Sequence, residues 1–433
     1  MIMYSEQIRQ ELQEKDIETG DQIKVNGKEG KLMPKPDTGD GKIINLKLDS
    51  GYNIGLEPED IELVEKDGGS EQKDLEIEYD EDRPDILVLH TGGTIASRVS
   101  YEEGGVKPAF DPEDLVEMYP ELASEVNIHS KVVAQMLSED MEPEHWMEIA
   151  EMIDGVKDDY DGIIVGHGTD TMQYTGAALS LMLKGIDTGI LLVGAQRSSD
   201  RPSTDASMNM YCGSKFLTET DFTGFGICMH SVTSDTECSI LPPQKVRKMH
   251  TSRRDAFKPI NSQEIGTVDY ESGDIDYSGT EEKNYEKNTD VKSNIAVIKS
   301  RPGMKAEELE FVMENDYDGL VVEGTGLGHL PVNSFDDKTE HHDDILEKIG
   351  LIADEIPVVM ASQCLNGRVD MNVYDAGVKI QNSGVVSAGD MHPELAYVKL
   401  AWSIANTDTV EEALELFSND VNGEIGERSM IGG

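Results

Sequence analysis

The stretch Gly162-Ile163-Ile164-Val165-Gly166-His167-Gly168-Thr169-Asp170-Thr171 decides the fold of this chain. Its apolar run Ile163-Ile164-Val165 predicts a buried strand, and its second half is a glycine turn that carries hydroxyls and a carboxylate. Upstream, Ile86–Leu89 is followed by a second turn of the same kind, His90-Thr91-Gly92-Gly93-Thr94-Ile95-Ala96. Open α/β sheets bind ligands at the carboxyl ends of their parallel strands. The two turns therefore predict an enzyme.

From Pro84 onward, strand-like runs alternate with helical ones, and the polar stretch Asp269–Lys292 interrupts the alternation. Alternation of this kind predicts a mostly parallel sheet covered by helices. We therefore expect two α/β domains, an N-terminal one over residues 84–290 that carries the catalytic motifs and a C-terminal one over residues 291–433.

Residues 1–68 follow a different pattern. A short helical segment precedes four brief β-type segments separated by glycine turns: Ser5–Lys15, then Asp21–Val25, Glu29–Met33, Ile43–Leu48 and Tyr52–Leu56. This pattern predicts a small, SH3-like β-barrel module. Because Asp and Glu flank most of its segments, we expect it to dock proteins or to be structural rather than to bind nucleic acid. Residues 69–83 predict an acidic linker.

The amino-acid composition is strongly acidic. Lys and Arg number 37 against 86 Asp and Glu, which gives a net charge of -49. Such an excess disfavours direct phosphate binding and favours a halophilic cytosol, because salt screens the self-repulsion. An ordinary acidic protein is the alternative. The four cysteines lack C-x-x-C spacing, which predicts neither a zinc site nor disulfides.

The N-terminus lacks the apolar core of a signal peptide, and no apolar run approaches about 18 residues. We expect a cytoplasmic protein that does not enter a membrane. The pair His341-His342 with Asp343-Asp344 is better explained as a solvated helix start than as a metal site, since adjacent side chains on a helix point apart.

The candidate chemical groups are two hydroxyls, a carboxylate and an amine. Thr94 and Thr169 are potential nucleophiles, although Thr94 alone is equally well explained as a helix N-cap. Lys248 lies in the basic segment Gln244–Arg254 and is a candidate base, since a desolvated lysine beside other cations loses proton affinity; a solvated basic loop is the alternative. Arg197 and Arg201 are candidate carboxylate ligands, for which surface salt bridging is the better explanation.

Three separated segments together carry a family resemblance. Thr91–Ala96, His167–Thr171 and Val246-Arg247-Lys248 resemble, in order, the signature segments of the bacterial-type asparaginase/glutaminase family. The resemblance spans residue 84 to about residue 425. It implies an asparaginase-like two-domain parallel-sheet fold, here preceded by the small β-barrel.

The same resemblance implies roles for individual residues. Thr94 matches the first nucleophilic threonine, and Thr169, Asp170 and Lys248 match the group that activates a hydroxyl or water. The remaining matches are to residues that bind or cover the substrate: Ser138, Glu139 and Tyr101.

A simple asparaginase does not need the module at residues 1–68. With this module, the architecture of the chain resembles that of the glutaminase subunits of archaeal tRNA-dependent amidotransferases. That resemblance implies glutamine as substrate and a homodimer within a heterotetramer. It also implies an E subunit as partner, which holds ATP and Mg²⁺ and through which Glu-tRNA(Gln) is mainly bound. We expect no cofactor or metal in this chain, which has no phosphate-binding G-x-x-x-x-G-K-[ST] loop.

Two other functions stay open at this point. One is a free-standing cytoplasmic L-asparaginase/glutaminase. The sequence does not set the preference between glutamine and asparagine, because the one methylene by which they differ is worth only about 1–3 kcal/mol in a binding pocket. The other is a catalytically inactive scaffold. The loop Gly324-Thr325-Gly326-Leu327-Gly328-His329 lacks the asparagine that many asparaginases carry, which puts in doubt its contribution to a neighbouring subunit's site.

Overall fold

The computed structural model describes residues 4–18, 20–32, 42–48, 53–66, 79–92, 97–100, 105–108, 115, 120–197, 204–279 and 284–430. Within them we label the helices α1 Glu6–Glu14, α2 Pro120–Glu125, α3 Pro143–Asp154, α4 Met172–Met182, α5 Ala206–Glu219, α6 Glu307–Glu314, α7 His342–Ala353, α8 Asp375–Asn382, α9 Pro393–Ala405 and α10 Val410–Ser418. The strands of the first half are β1 Gln22–Val25, β2 Lys28–Leu32, β3 Ile44–Lys47, β4 Asn53–Leu56, β5 Ile61–Glu65, β6 Asp85–Gly92, β7 Ser97–Ser100, β8 Gly105–Pro108, β9 Asn127–Met136, β10 Gly162–Gly166, β11 Leu183–Lys184 and β12 Gly189–Val193. Those of the second half are β13 Gly224–His230, β14 Glu237–Leu241, β15 Val246–Lys248, β16 Phe257–Pro259, β17 Gly266–Asp269, β18 Ile275–Tyr277, β19 Glu286–Lys287, β20 Ile295–Lys299, β21 Gly319–Gly324, β22 Val358–Ser362 and β23 Val386–Ser387.

The N-terminal module is an antiparallel sheet in the order β4-β3-β2-β1-β5. Alternate residues of β1 point inward, so Ile23 and Val25 are fully buried, and they pack in one cluster with Leu12 of α1. Helix α1 begins at a capping residue, since the Ile8 backbone N–H donates to Ser5 Oγ at 3.4 Å. The four predicted strands are present, and β5 is an additional one.

The larger sheet has the order β18-β17-β14-β13-β12-β10-β6-β9. Strands β9, β6, β10, β12 and β13 are parallel, as the alternation predicts. Strands β14, β17 and β18 extend the sheet antiparallel. The antiparallel part was not predicted, because strands β17 and β18 are short and lie in or beside the polar stretch that the pattern assigned to an interruption.

The second sheet, β20-β21-β22-β23, is entirely parallel. Between the two sheets, α4 packs against α9. One apolar cluster accordingly contains residues of both halves, such as Leu179 of α4 and Leu395 of α9. The fold-class prediction is therefore confirmed, whereas the exact domain limits stay a prediction.

Polar contacts also join the two halves. Asn261, which has a positive φ of 54°, donates from Nδ2 to the carbonyls of Gly367 at 2.9 Å and Asp390 at 2.8 Å, and its Oδ1 accepts from the Gly367 N–H at 2.8 Å. Among the described residues, no helix has the length and apolar character needed to cross a membrane.

Candidate active site

Three adjacent parallel strands end side by side. Strand β6 pairs with β9 on one side and with β10 on the other. Because parallel strands share one carboxyl edge, the ends of β9, β6 and β10 lie side by side there, together with the residues that follow β9 and β10. Ser138 follows β9 and Thr169 follows β10, so both predicted segments are brought to this edge.

A glycine is required where β6 ends. Gly92 has a φ of 109°, and a Cβ at this position would lie 2.2 Å from the Met136 carbonyl oxygen. Its neighbour Thr91 is buried and donates from Oγ1 to the Gly166 carbonyl at 3.0 Å. These contacts hold the ends of the three strands together.

The centre of the site is a lysine between a hydroxyl and a carboxylate. Lys248 Nζ lies 2.9 Å from Thr169 Oγ1 and 2.7 Å from Asp170 Oδ1. The Lys248 side chain is only 9% exposed, whereas that of Asp170 is 67% exposed. A proton can therefore pass between three groups, one of which faces solvent.

Lys248 is held by regular structure. It is the last residue of β15, opposite Phe257 of β16, and the Met249 N–H donates to the Ala256 carbonyl at 2.6 Å. The neighbouring cations are paired as well: Arg247 with Glu394, Arg253 with Asp255, and Arg254 with Asp235. The segment is thus an ion-paired hairpin rather than a solvated basic loop.

Ser138 links two of the converging loops. Its Oγ accepts from the Asp170 N–H at 3.3 Å, and its carbonyl accepts from Thr171 Oγ1 at 2.7 Å. The approach is close enough that a Cβ at Gly168 would lie 2.7 Å from Ser138 Cβ. Glu139, the next residue, is exposed at the same edge.

Two buried histidines support the turns. Burial lowers the pKa of His167 to about 4, against a smaller raising effect of its bond to the Gly168 carbonyl. Its Nδ1 lies 2.6 Å from that carbonyl, and its Nε2 lies 2.9 Å from Thr175 Oγ1. Burial likewise lowers the pKa of His90 to about 4. Both rings are neutral at pH 7 and add no charge to this region.

The structure therefore brings Ser138, Thr169, Asp170 and Lys248 together. Thr94 and Tyr101 lie outside the described residues, as does Arg201. The backbone N–H of Arg197 donates to Asp205 Oδ1 at 2.9 Å.

Sequence reasoning missed two residues that shape the site. A Cβ at Gly194 would lie 2.7 Å from Thr169 Cγ2, and the Gln173 side-chain amide donates to the Asp170 carbonyl at 3.3 Å. Gly194 directly follows strand β12, which pairs with β10. Its place at the end of a predicted strand was the available signal. Gln173 gave none, since it lies in a helical pattern.

Within the part of the chain that the structure describes, no group of three or more His, Cys, Asp or Glu side chains is arranged to hold a metal ion. His341 and His342 pack ring against ring at 4.6 Å, and His342 Nδ1 lies 2.9 Å from the Asn333 carbonyl. These contacts are those of a helix start.

Three family models match segments of this chain. The family model "Asparaginase, N-terminal" matches residues 85–282, and "Glutaminase/Asparaginase C-terminal domain" matches residues 294–417. A third model, "GatD N-terminal domain", matches residues 17–66.

Curated relatives extend the match over nearly the whole chain. The D subunit of the glutamyl-tRNA(Gln) amidotransferase of Methanopyrus kandleri is 42% identical over 98% of this chain and 94% of its own length. The protein of the same name from Pyrococcus furiosus is 41% identical over 96% of each chain. The chain belongs to the family of glutamyl-tRNA(Gln) amidotransferase D subunits.

The larger part of this D subunit is similar to a solved enzyme. The L-asparaginase of Thermococcus kodakarensis aligns with a TM-score of 0.70 and 29% identity, covering 79% of this chain and 99% of its own. The four residues that the structure brings together, Ser138, Thr169, Asp170 and Lys248, all fall within the matched asparaginase segment, residues 85–282. The resemblance stated from three motifs is thereby confirmed.

Proposed function

We propose that this chain hydrolyses glutamine and supplies the ammonia that converts Glu-tRNA(Gln) to Gln-tRNA(Gln) on a partner subunit. The observation that carries the proposal is the position of Lys248 Nζ, within 2.9 Å of Thr169 Oγ1 and 2.7 Å of Asp170 Oδ1. Hydrolysis of an amide at neutral pH needs an activated hydroxyl and a proton carrier, and this arrangement can supply both.

In the proposed reaction, Thr94 is the nucleophile. Its hydroxyl oxygen forms a bond to the side-chain amide carbon of glutamine, the hydroxyl proton is passed to the departing nitrogen, and the carbon–nitrogen bond breaks to release ammonia. Water then cleaves the resulting ester and leaves glutamate. Thr169, Asp170 and Lys248 form the group that moves protons in these steps.

Substrate recognition is assigned to the groups around that centre. Asp170, with its exposed carboxylate, is proposed to bind the α-amino group of glutamine. Ser138 and Glu139 are proposed to contact the α-carboxylate and amine. Tyr101 is proposed to close over the site and exclude water.

The assembly is also part of the proposal. The names of the relatives support a partner within a tRNA-dependent amidotransferase. We assign the E subunit as that partner, with ATP and Mg²⁺ bound there, Glu-tRNA(Gln) contacted mainly through it, and this chain forming a homodimer within a heterotetramer in the cytoplasm.

The first experiment measures ammonia release from glutamine and from asparagine in high salt, with and without the E subunit and Glu-tRNA(Gln). We expect glutamine hydrolysis that rises when both are added. Fast asparagine hydrolysis that neither addition changes would instead support a free-standing L-asparaginase, the alternative suggested by the solved relative.

A second experiment tests the residues. We expect Lys248→Met, Thr169→Val, Asp170→Asn and Thr94→Val each to lower kcat for ammonia release by about 10³-fold, and their effects to be non-additive because the groups act together. Lys258→Met is the matched control, since Lys258 lies on β16 and donates to the Ser231 carbonyl at 2.7 Å. Losses below about tenfold at any of the four residues would contradict the role given to it, and full activity throughout would favour an inactive scaffold with a contaminating amidase.

A further inference from the structure

We propose that the C-terminal domain positions Lys248 through Glu394, which holds the adjacent Arg247. This inference rests on the proposed function, since it needs Lys248 to act in the reaction. Glu394 is a positioning residue here, because it acts through the hairpin and not on the substrate.

Lys248 ends the short strand β15. Two residues that precede it in the chain form ion pairs with residues of the C-terminal domain. Arg247 Nη2 lies 2.9 Å from Glu394 Oε1, and Lys245 Nζ lies 2.6 Å from Asp390 Oδ2. Both acids belong to the segment at the start of α9. Because side chains alternate along a strand, Arg247 and Lys248 point to opposite sides of β15. The ion pair on one side therefore fixes the backbone from which Lys248 reaches the site on the other.

The two acids are themselves fixed. Glu394 Oε2 lies 3.0 Å from His392 Nδ1, and Asp390 Oδ1 accepts from the Gly426 N–H at 3.0 Å. The side chains of Glu394 and Asp390 are 9% and 0% exposed. Buried, hydrogen-bonded carboxylates hold their partners in one geometry more firmly than exposed ones.

Among the described residues, this strand pairs with a single neighbouring strand, and its Val246 side chain is buried in an apolar cluster. β15 spans three residues, Val246–Lys248, and pairs with an equally short β16. Catalytic groups need to stay within fractions of an ångström of their working position, and a 1 Å displacement can cost about 10²-fold in rate. The link from Arg247 to the second domain meets this need at the residue next to the lysine.

The test uses the full-length chain in complex with its amidotransferase partner, with glutamine as the probe. We expect Glu394→Gln to lower kcat about tenfold while KM changes less than twofold, since Lys248 acts on the reacting hydroxyl rather than on the bound substrate. Arg247→Met should give the same loss, and Arg247→Lys, which keeps the charge, should restore at least a third of the wild-type kcat.

The control is another ion pair of the same basic segment. Asp235→Asn removes the partner of Arg254, and both of these residues belong to the first domain. We expect its kcat to stay within twofold of the wild type. Thermal unfolding of each variant shows whether it is folded at the assay temperature, and if Glu394→Gln is not, the half-exposed Arg247→Met variant carries the test.

A double variant separates positioning from general damage. In the Lys248→Met background, Glu394→Gln should lower the residual rate less than twofold, because the group that it positions is already gone. A further tenfold loss there, or an unchanged kcat for Glu394→Gln alone, would overturn the proposal. If instead Lys248→Met alone keeps full activity, the proposed function is wrong at that residue, which is a distinct result.

Discussion

Thr169 is confined by a glycine from the next strand. A Cβ at Gly194 would lie 2.7 Å from Thr169 Cγ2 and 2.9 Å from the His167 carbonyl oxygen. Gly194→Ala must therefore displace the turn that presents Thr169 to Lys248. We expect kcat for glutamine to fall by about 10²-fold, measured as ammonia release.

Gly213→Ala is the matched control for that substitution. A Cβ there would meet Val193 Cγ2 at 3.5 Å, which is ordinary contact, and Gly213 lies inside α5, where alanine is the better helix former. We expect unchanged activity. Equal losses in the two variants would show that crowding at Thr169 is not the cause.

The buried histidines give a second prediction, on stability. His90 and His167 have pKa values of about 4 in the folded chain, below the ordinary 6.5. The unfolded state therefore binds protons that the folded state does not between pH 6.5 and 4, so stability falls as the pH is lowered through that window. From pH 7 to pH 5, His90→Gln should lose about 2 kcal/mol less than the wild type.

Urea unfolding at several pH values measures this difference. The comparison concerns the slope with pH, since the substitution also changes the stability at pH 7. Parallel pH dependence in the two proteins would show that His90 takes up its proton in the folded state.

Most of the site's residues could be predicted, because each turn follows a recognisable strand. Thr169 and Ser138 lie where the ends of β10 and β9 place them. The place of Gly194 after a strand run was visible in the sequence, but the effects of Gly194 and Glu394 could not be predicted, since they depend on contacts between segments far apart in the sequence. A pattern of residue types gives the end of a strand, but not which distant side chain packs against it.

At the scale of elements, two loops are joined through two hydroxyls. Thr171, just before α4, donates to the Ser138 carbonyl at 2.7 Å, and the Asp170 N–H donates to Ser138 Oγ. Thr171→Val removes one of these links and leaves the Ser138 carbonyl with only the Met141 N–H, at 3.2 Å, as its donor. We expect kcat/KM for glutamine to fall about tenfold, because Ser138 and Asp170 no longer keep their spacing.

Thr218→Val provides the comparison, because the Thr218 hydroxyl bonds only to carbonyls of its own helix α5. Its kcat/KM should stay within twofold of the wild type. Equal rates in Thr171→Val and the wild type would mean that the loops are held without this bond.

Most of the parallel strands were predicted, whereas the antiparallel strands that extend the larger sheet, and the short parallel strand β23, were not. Buried strands such as β10 and β12 are continuous apolar runs, which the sequence displays openly. Strand β18 has only three residues, none of them buried, so no hydrophobic pattern marks it. It belongs to the sheet through antiparallel pairing with β17.

At the scale of the whole molecule, charge is the dominant feature. The net charge of -49 repels itself, and the screening length shortens from roughly 10 Å at 0.1 M salt to roughly 3 Å at 1 M. We expect the thermal unfolding midpoint to rise by about 5 °C or more between 0.1 M and 2 M KCl.

Calorimetry in KCl measures this directly, and KCl is preferred because sulfate also stabilises proteins by exclusion from their surface. A midpoint that is flat or falls with KCl would contradict self-repulsion as the controlling term. A halophilic setting stays a prediction until then.

The contacts of Asn261 bear on how such proteins can be recombined. Asn261 donates to the backbone carbonyls of Gly367 and Asp390, and Lys245 forms an ion pair with the side chain of the same Asp390. A chimera that takes its first domain from one parent and its second from another keeps the backbone partners of Asn261 but can separate Lys245 from the carboxylate that pairs with it. Two segments should therefore be exchanged together, the β15–β16 hairpin of the first domain and the segment that begins α9. Taking both from one parent preserves the contacts at this junction.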